Sequence, residues 1–323
     1  MTVPGFIQTG CRGILAIGDP HLEGRIPGFR CDDYPAVVLE KLRWCFNYAR
    51  QQALLPVLLG DLFHLPRNNP NWLLVSLMEL AGRDVPCIYG NHDVHENSIT
   101  ADDSIRVLQE SGHLRLLDEN TTYPAIISGM RVIIGGTPWG RRLPKSFDSN
   151  AFAKDGCEKP FVIWLAHHDT IVPGYEDQGR IKVGEIPGID IVINGHIHRC
   201  LGEVVRGSTR WIVPGNITRR SRSDAARSHT PAVLRLDIDA KGVSCTHVTV
   251  PHKPFDEVFY EALEDEALQE QGSAFVAGLA ELQARRTRTG QGLAEFLEKN
   301  LDLFEPDVAS EIRNLADEVM KNE

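Results

Sequence analysis

The stretch VPCIYGNHD, Val85 to Asp93, decides how the chain is read. It opens as an apolar run, turns through Gly90, and sets Asn91, His92 and Asp93 side by side, three side chains that prefer water, a metal ion or a proton to a core. The same construction recurs along the chain. GILAIGDPH ends in Asp19 and His21, LLPVLLGDLFH in Asp61 and His64, FVIWLAHHD in His167 and His168, and IDIVINGHIH in His196 and His198. Between these runs, PAVVLEKLRWCFNYARQQ (35–52) and NWLLVSLMELAGRD (71–84) carry apolar residues at helical spacing. Strand, loop and helix in alternation predict an α/β fold, a mostly parallel sheet covered by helices, with any site outside the carboxyl ends of the strands. All five polar clusters fall there.

Spacing within the clusters narrows the chemistry. Asp19-x-His21 and His196-x-His198 are pairs two residues apart, which on an extended segment point to the same side and can offer two ligands to one place. Asp61 and Asn91 each follow a glycine, which turns the backbone without a Cβ clash. Oxygen and imidazole donors without thiolate suit Mn²⁺, Fe or Zn²⁺ as working ions better than a structural zinc knot.

Composition sets the bounds. A chain of 323 residues with 42% hydrophobic content can bury a large α/β core and carry an appendage. The opening MTVPGFIQTGCRG has no basic stretch followed by an apolar one, and no apolar run is long enough to span a bilayer, so a cytoplasmic protein without membrane contact is expected. Seven scattered cysteines without a C-x-x-C pair read as reduced and mostly buried. The net charge of -10 is unevenly spread: residues 256–323 hold 17 Asp and Glu against 6 Lys and Arg. The acidity thus belongs to the tail. Seven arginines between 199 and 227 face only Glu203 and Asp224 in that stretch, a basic surface inside an acidic protein.

The ordered set D-x-H, G-D, G-N-H-D, H, G-H-x-H, from Asp19 to His198, resembles the calcineurin-like metallophosphoesterases. The resemblance implies a four-layer α-β-β-α sandwich with a small C-terminal helical appendage and a binuclear centre on its rim. Asp19, His21, Asp61 and His198 would hold one divalent ion; Asp61, bridging, with Asn91, His167 and His196 would hold the other. Manganese is expected first, with Fe, Zn or Mg as alternatives. His167 is preferred over His168 because it is the first histidine after the strand. His92 would deliver a proton or stabilise the transition state, with His64 and Asp93 as its companions in the catalytic group and Arg199, Arg219 and Arg220 binding substrate.

Within that superfamily, GDLFH followed by PRNNP, with GDPHLEG (18–24) and VPGNITR (213–219), is similar to the SbcD-type nuclease subunits and to their phage recombination counterparts. His64 and Asp93 stand where protein phosphatases carry an aspartate and a glutamate. The implied activity is DNA exonuclease and endonuclease action in repair or recombination, together with an SbcC-type coiled-coil ATPase. The alternatives are a small-molecule or cyclic-nucleotide phosphodiesterase or phosphatase, and a scaffold without activity. The expected layout is a phosphoesterase domain over 1–250, a reduced cap or helical connector over 251–288, and a helix pair over 289–323. Leu293, Phe296 and Leu297, then Val308, Ile312, Leu315 and Val319, form apolar stripes that would grip the ATPase. Homodimer formation is a further expectation.

Overall fold

The computed structural model describes residues 5–152 and 159–260, together with Ser310 and Ile312. The chain divides into two compact units, Met1–Tyr260 and Glu261–Glu323, and the description concerns the first. The expectations for the connector beyond Tyr260 and for the apolar stripes, Ile312 apart, fall outside the described residues.

The strands in chain order are β1 (Ile7–Gln8), β2 (Gly13–Ile17), β3 (Leu54–Leu58), β4 (Val85–Cys87), β5 (Leu114–Leu116), β6 (Tyr123–Ile127), β7 (Met130–Thr137), β8 (Phe161–Ala166), β9 (Thr170–Ile171), β10 (Ile181–Lys182), β11 (Ile191–Asn194), β12 (Leu201–Arg206), β13 (Thr209–Val213), β14 (Ala232–Asp239) and β15 (Gly242–Thr249). The helices are α1 (Tyr34–Gln51), α2 (Asn71–Ala81), α3 (Ser104–Glu110) and the short α4 (Asp224–Ser228). Among the described residues two large sheets form, beside a two-stranded one of β9 and β10, where the alternation alone suggests one. The first has the order β15-β14-β2-β3-β4-β5, and the second the order β1-β6-β7-β8-β11-β13-β12. Both are parallel at the centre and antiparallel toward an edge: β14 runs against β2 and β15, β12 against β13, and β6 against β7.

Side-chain alternation explains the stacking. Leu15 and Ile17 of β2 face a core shared with α1, α2 and α3, whereas Ile14 and Ala16 face the second sheet. From the other side, Ile163 and Leu165 of β8 enter the same central core, while Val162, Trp164 and Ala166 point outward into a third core. That outer core is closed by Phe147, Phe152, Val172, Val183 and Ile186, which lie in or beside the connections between β7 and β8 and between β8 and β11. The architecture is a mixed α/β sandwich of sheets flanked by helices.

Helix boundaries follow local signals. Asp33 caps α1 by accepting from the Ala36 amide at 3.3 Å, with Pro35 in the first turn, and α2 ends at Gly82, whose φ of 74° is adopted readily only by glycine. The cysteines depart from the sequence reading. All six described are free, yet only Cys45 and Cys87 are buried, and Cys31 and Cys200 are exposed. Among the described residues no helix is long and apolar enough to cross a membrane.

The fold positions the site through register. β2 pairs with β3 from Gly13↔Leu54 to Ile17↔Leu58, so the two strands end level and deliver Gly18-Asp19 and Gly60-Asp61 to one edge. β8 and β11 end level as well, with Asn194 opposite Ala166, which brings His167 and His196 out together.

Candidate metal centre

Asp19, His21, Asp61 and His196 adopt φ of 42°, 47°, 48° and 70°, the left-handed region that non-glycine residues avoid. Each such residue costs on the order of 1–3 kcal/mol and persists only where its surroundings demand it. The demand is close approach. At Gly60, with φ of 96°, a Cβ would lie 2.5 Å from Nδ1 of His167; at Gly90 it would overlap the Asp61 carboxylate. Side chains from two sheets converge because the backbone between them has been thinned to hydrogen.

Among the described residues three groups of donor atoms result, each with its atoms within 4.8 Å of one another: Asp19, His21, Asp61 and His198; Asp61, His167 and His196; and His21, His64 and His92. Asp61 belongs to the first two. Its Oδ2 lies 3.6 Å from Nε2 of His21 and 3.3 Å from Nε2 of His167. Nε2 of His21 lies 2.9 Å from Nε2 of His198, and Nδ1 of His196 lies 3.0 Å from Oδ1 of Asn91. Facing lone pairs at such distances repel unless a proton or a cation sits between them.

The donor set fits a divalent ion by a second observation. Among the described residues, Oδ2 of Asp19 and Nε2 of His167 are buried polar atoms that make no hydrogen bond, Nε2 facing the Asp61 carboxylate at 3.3 Å, a costly state in an apolar surround. The opposite atoms of these groups are committed. Nδ1 of His167 donates to the Leu59 carbonyl at 2.7 Å, which leaves Nε2 unprotonated in the neutral ring; Oδ1 of Asp19 accepts from the His196 amide at 2.8 Å. Nε2 of His196 meets Oδ1 of Asp169 at 2.7 Å, which reserves its Nδ1 for the cluster.

Electrostatics separate the members. Burial alone would raise the carboxyl of Asp61, but His167, His92 and His21 outweigh it and hold the group well below the usual carboxylate range. Burial likewise opposes charge on His167, yet Asp61, Asp19 and the Leu59 carbonyl together lift that imidazole to about 9, so near pH 7 a proton on Nε2 competes with an ion for that position. His64 is pushed down to about 3 by burial, then by Arg220 and His92, so it is neutral near pH 7.

The remaining candidates have distinct surroundings. His92 stacks on His64 with ring centres 4.7 Å apart; its Nδ1 meets the His64 carbonyl at 2.9 Å and its amide donates to Asp61 at 2.8 Å. Its Nε2 is thereby left for the cluster side. Asp93 accepts from the amides of Phe63 and Gly90, both at 2.9 Å, so its two oxygens brace the loops rather than join the donor groups. His168, buried, exchanges backbone hydrogen bonds with the Asn194 side chain and belongs to none of the three groups.

The arginines differ most from the sequence reading. Arg219 is 8% exposed and turns its guanidinium to the carbonyls of His229 and Lys253, which corrects its expected place on a substrate surface. Arg220 donates to Glu23 at 2.7 Å and stays partly exposed near His64; Arg199 is half-exposed and bonds to the Gly174 carbonyl. Glu23 and Asp256, remote in sequence, pair with Arg220 and Arg227, and Glu203 within the run pairs with Arg210, so carboxylates offset part of the basic run.

Sequence reasoning passed over Trp139, whose ring lies 4.9 Å from that of His196, and Tyr34, whose hydroxyl donates to the His21 carbonyl at 3.1 Å. Trp139 follows the end of β7, the same kind of strand-end position that marked the other clusters, and that was its only signal.

Residues 13–200 match the family of calcineurin-like phosphoesterases. Among curated proteins none matches. Similar solved structures include a predicted phosphoesterase from Streptococcus pneumoniae, 12% identical, with a TM-score of 0.35 over 78% of this chain and 97% of that one. Vps29 from Chaetomium thermophilum is 13% identical, with a TM-score of 0.30 over 76% of this chain and 98% of its own. A single mutant of Vps29 from Entamoeba histolytica is 17% identical, with a TM-score of 0.24 over 74% and 99%.

Proposed function

The chain belongs to the calcineurin-like phosphoesterase family, and on that premise we propose that it is a metal-dependent phosphodiesterase that cleaves DNA as a nuclease subunit. The observation that carries the hydrolytic reading is the convergence of two donor groups on Asp61, with His92 beside them. Two divalent ions held there, by Asp19, His21, Asp61 and His198 on one side and by Asp61, Asn91, His167 and His196 on the other, would acidify a water and neutralise phosphoryl charge.

The residues supply the rest. The Leu59 carbonyl and Asp169 fix which nitrogen of His167 and His196 faces inward, so the donor set is oriented before substrate arrives. The His64 carbonyl holds Nδ1 of His92, and a protonated Nε2 can then give its proton to the departing alkoxide, the costly step for a diester with a poor leaving group. His64, neutral, supplies a flat face behind His92 and adds no competing proton.

DNA as substrate is supported by GDLFH, by the partly exposed Arg199 and Arg220, and by the SbcD-type resemblance, which also brings in a coiled-coil ATPase as partner. The test offers the full-length chain, with Mn²⁺ and with Mg²⁺, three substrates: linear duplex DNA, bis-p-nitrophenyl phosphate and a cyclic nucleotide. Degradation of duplex ends, stimulated by ATP when the ATPase is added, is the expected result. Rapid turnover of the cyclic nucleotide with intact DNA would move the assignment to the small-molecule class.

A further inference from the structure

A cavity of about 340 Å³, lined by none of the cluster residues, lies between α1 and the segment that follows β15. Arg30, Lys41 and Arg219, only 5%, 8% and 8% exposed, form its buried wall. Three buried cations meet two carboxylates, partly buried Asp32 and exposed Glu40; Asp32 is taken twice by Arg30, at 2.8 and 2.6 Å, and among the described residues Glu40 pairs with neither Lys41 nor Arg219. Arg219 is held by carbonyls alone. Nζ of Lys41 donates to the Ile217 carbonyl at 2.8 Å, and no ion pair of Lys41 occurs among the described residues. Buried charge is ordinarily paired or discharged, so Arg219, and Lys41 whenever it is protonated, leave a deficit toward the cavity that an anion would fill.

We propose that this cavity is a second binding site, distinct from the metal cluster, for an anion of the phosphate class. Lys41 and Arg219 supply charge-assisted donors, and Arg30 reinforces the field through its neighbours. Trp44, partly buried and stacked on Tyr48 at 5.1 Å, gives the cavity an apolar wall. His252 and Lys253, both exposed, stand at its mouth. Inorganic phosphate and a nucleoside monophosphate share this chemistry, and the aromatic wall separates them: a base stacked on Trp44 adds affinity that phosphate alone lacks.

The cavity also reaches the cluster through the backbone. Lys41 and Arg30 hold the carbonyls of Ile217 and Arg219, while the Ile217 amide donates to Gly18 and the Thr218 hydroxyl to Asp19. An anion that draws Lys41 and Arg219 toward itself therefore pulls on the segment beside Asp19. The inference does not depend on the hydrolytic reading.

Burial, then Arg30 and Arg219, lowers Lys41 to about 7, so near pH 8.5 the incoming anion should recharge it and draw a proton from the buffer. Calorimetry on the full-length chain, in two buffers of different ionisation enthalpy, measures this. Inorganic phosphate or a nucleoside monophosphate should bind with a Kd of about 1 mM or below, with proton uptake. Asp61→Asn should bind equally well, and Lys41→Gln, which keeps a donor for Ile217, should bind about tenfold more weakly without uptake. Loss of binding in Asp61→Asn but not in Lys41→Gln would place the anion at the cluster and overturn the proposal. If Lys41→Gln does not fold, the wild-type titration decides: binding without proton uptake overturns it, as does no binding of either probe.

Discussion

The two sheets contribute different chemistry to one cluster. Strands β2, β3 and β4 end in Asp19, Asp61 and Asn91, the oxygen donors, with His21 and His92 beside them; β8 and β11 end only in imidazoles, His167, His196 and His198. The contacts that orient these groups mostly run between sheets: Leu59 to His167, Asp19 to the His196 amide, Asn91 to His196, His21 to His198. Within the first sheet the bracing is different in kind, and Asp93, tying Phe63 to Gly90, is its example. The difference teaches that the cluster reports on sandwich packing: a fault between the sheets should strip metal, whereas a fault within one sheet should cost stability first.

The severest break is at Asp61, the one carboxylate shared by both donor groups. Asp61→Asn should leave the fold intact, lower metal content at both sites and remove essentially all hydrolysis. Metal stoichiometry by mass spectrometry beside circular dichroism checks it; a variant that retains two tightly held ions would rule out the bridging role. His92 is the next largest effect. His92→Ala should keep the metal content and slow a poor leaving group by roughly 10²–10⁴, but an aryl leaving group far less. Equal slowing on both substrates would point to a positioning role through the Asp61 and His64 contacts instead.

Gly60 tests the contact between sheets without touching a donor atom. A methyl there meets Nδ1 of His167 at 2.5 Å and the Gly90 amide nitrogen at 2.8 Å, and strains a φ of 96°. Gly60→Ala should cost about 1–2 kcal/mol from the left-handed backbone and reduce occupancy selectively where His167 contributes. Titration with Mn²⁺ should find one tight and one weakened ion. Equal weakening of both would mean that the two donor groups move as one body.

Much of this was legible in sequence, for reasons visible in particular residues. The run GILAI could be taken as a strand because it stops at Gly18, and its polar successors marked the functional edge. The division into two sheets could not be read from FVIWLA, where both faces are apolar and periodicity is silent about which layer each face meets. The convergence of Asp19, His21, Asp61, His167, His196 and His198 was legible because motif order constrained it. The Leu59 carbonyl that fixes His167 was not, since a backbone oxygen carries no residue signature. Arg219 misled for a related reason: an arginine in a basic run reads as solvated, and the carbonyls of His229 and Lys253 come within reach only on folding.

Asp93 gives the smallest expected effect and the sharpest contrast with Gly60. Its carboxylate is fully buried and accepts two backbone amides, one from the loop after β3 and one from the loop after β4. Asp93→Asn keeps the size but exchanges one acceptor for an amide group, so either Phe63 or Gly90 must face a second donor. An unsatisfied buried N–H costs about 1–3 kcal/mol, which for a domain of this size lowers the melting temperature by a few degrees. Because both amides belong to loops of the first sheet, contacts to His167 and His196 should survive, and the Mn²⁺ titration should stay close to wild type. Differential scanning calorimetry and metal titration on the same sample read the two quantities side by side. Lost metal with an unchanged melting temperature would reverse the roles assigned here, making Asp93 part of the metal centre and leaving the first sheet braced by its apolar core alone.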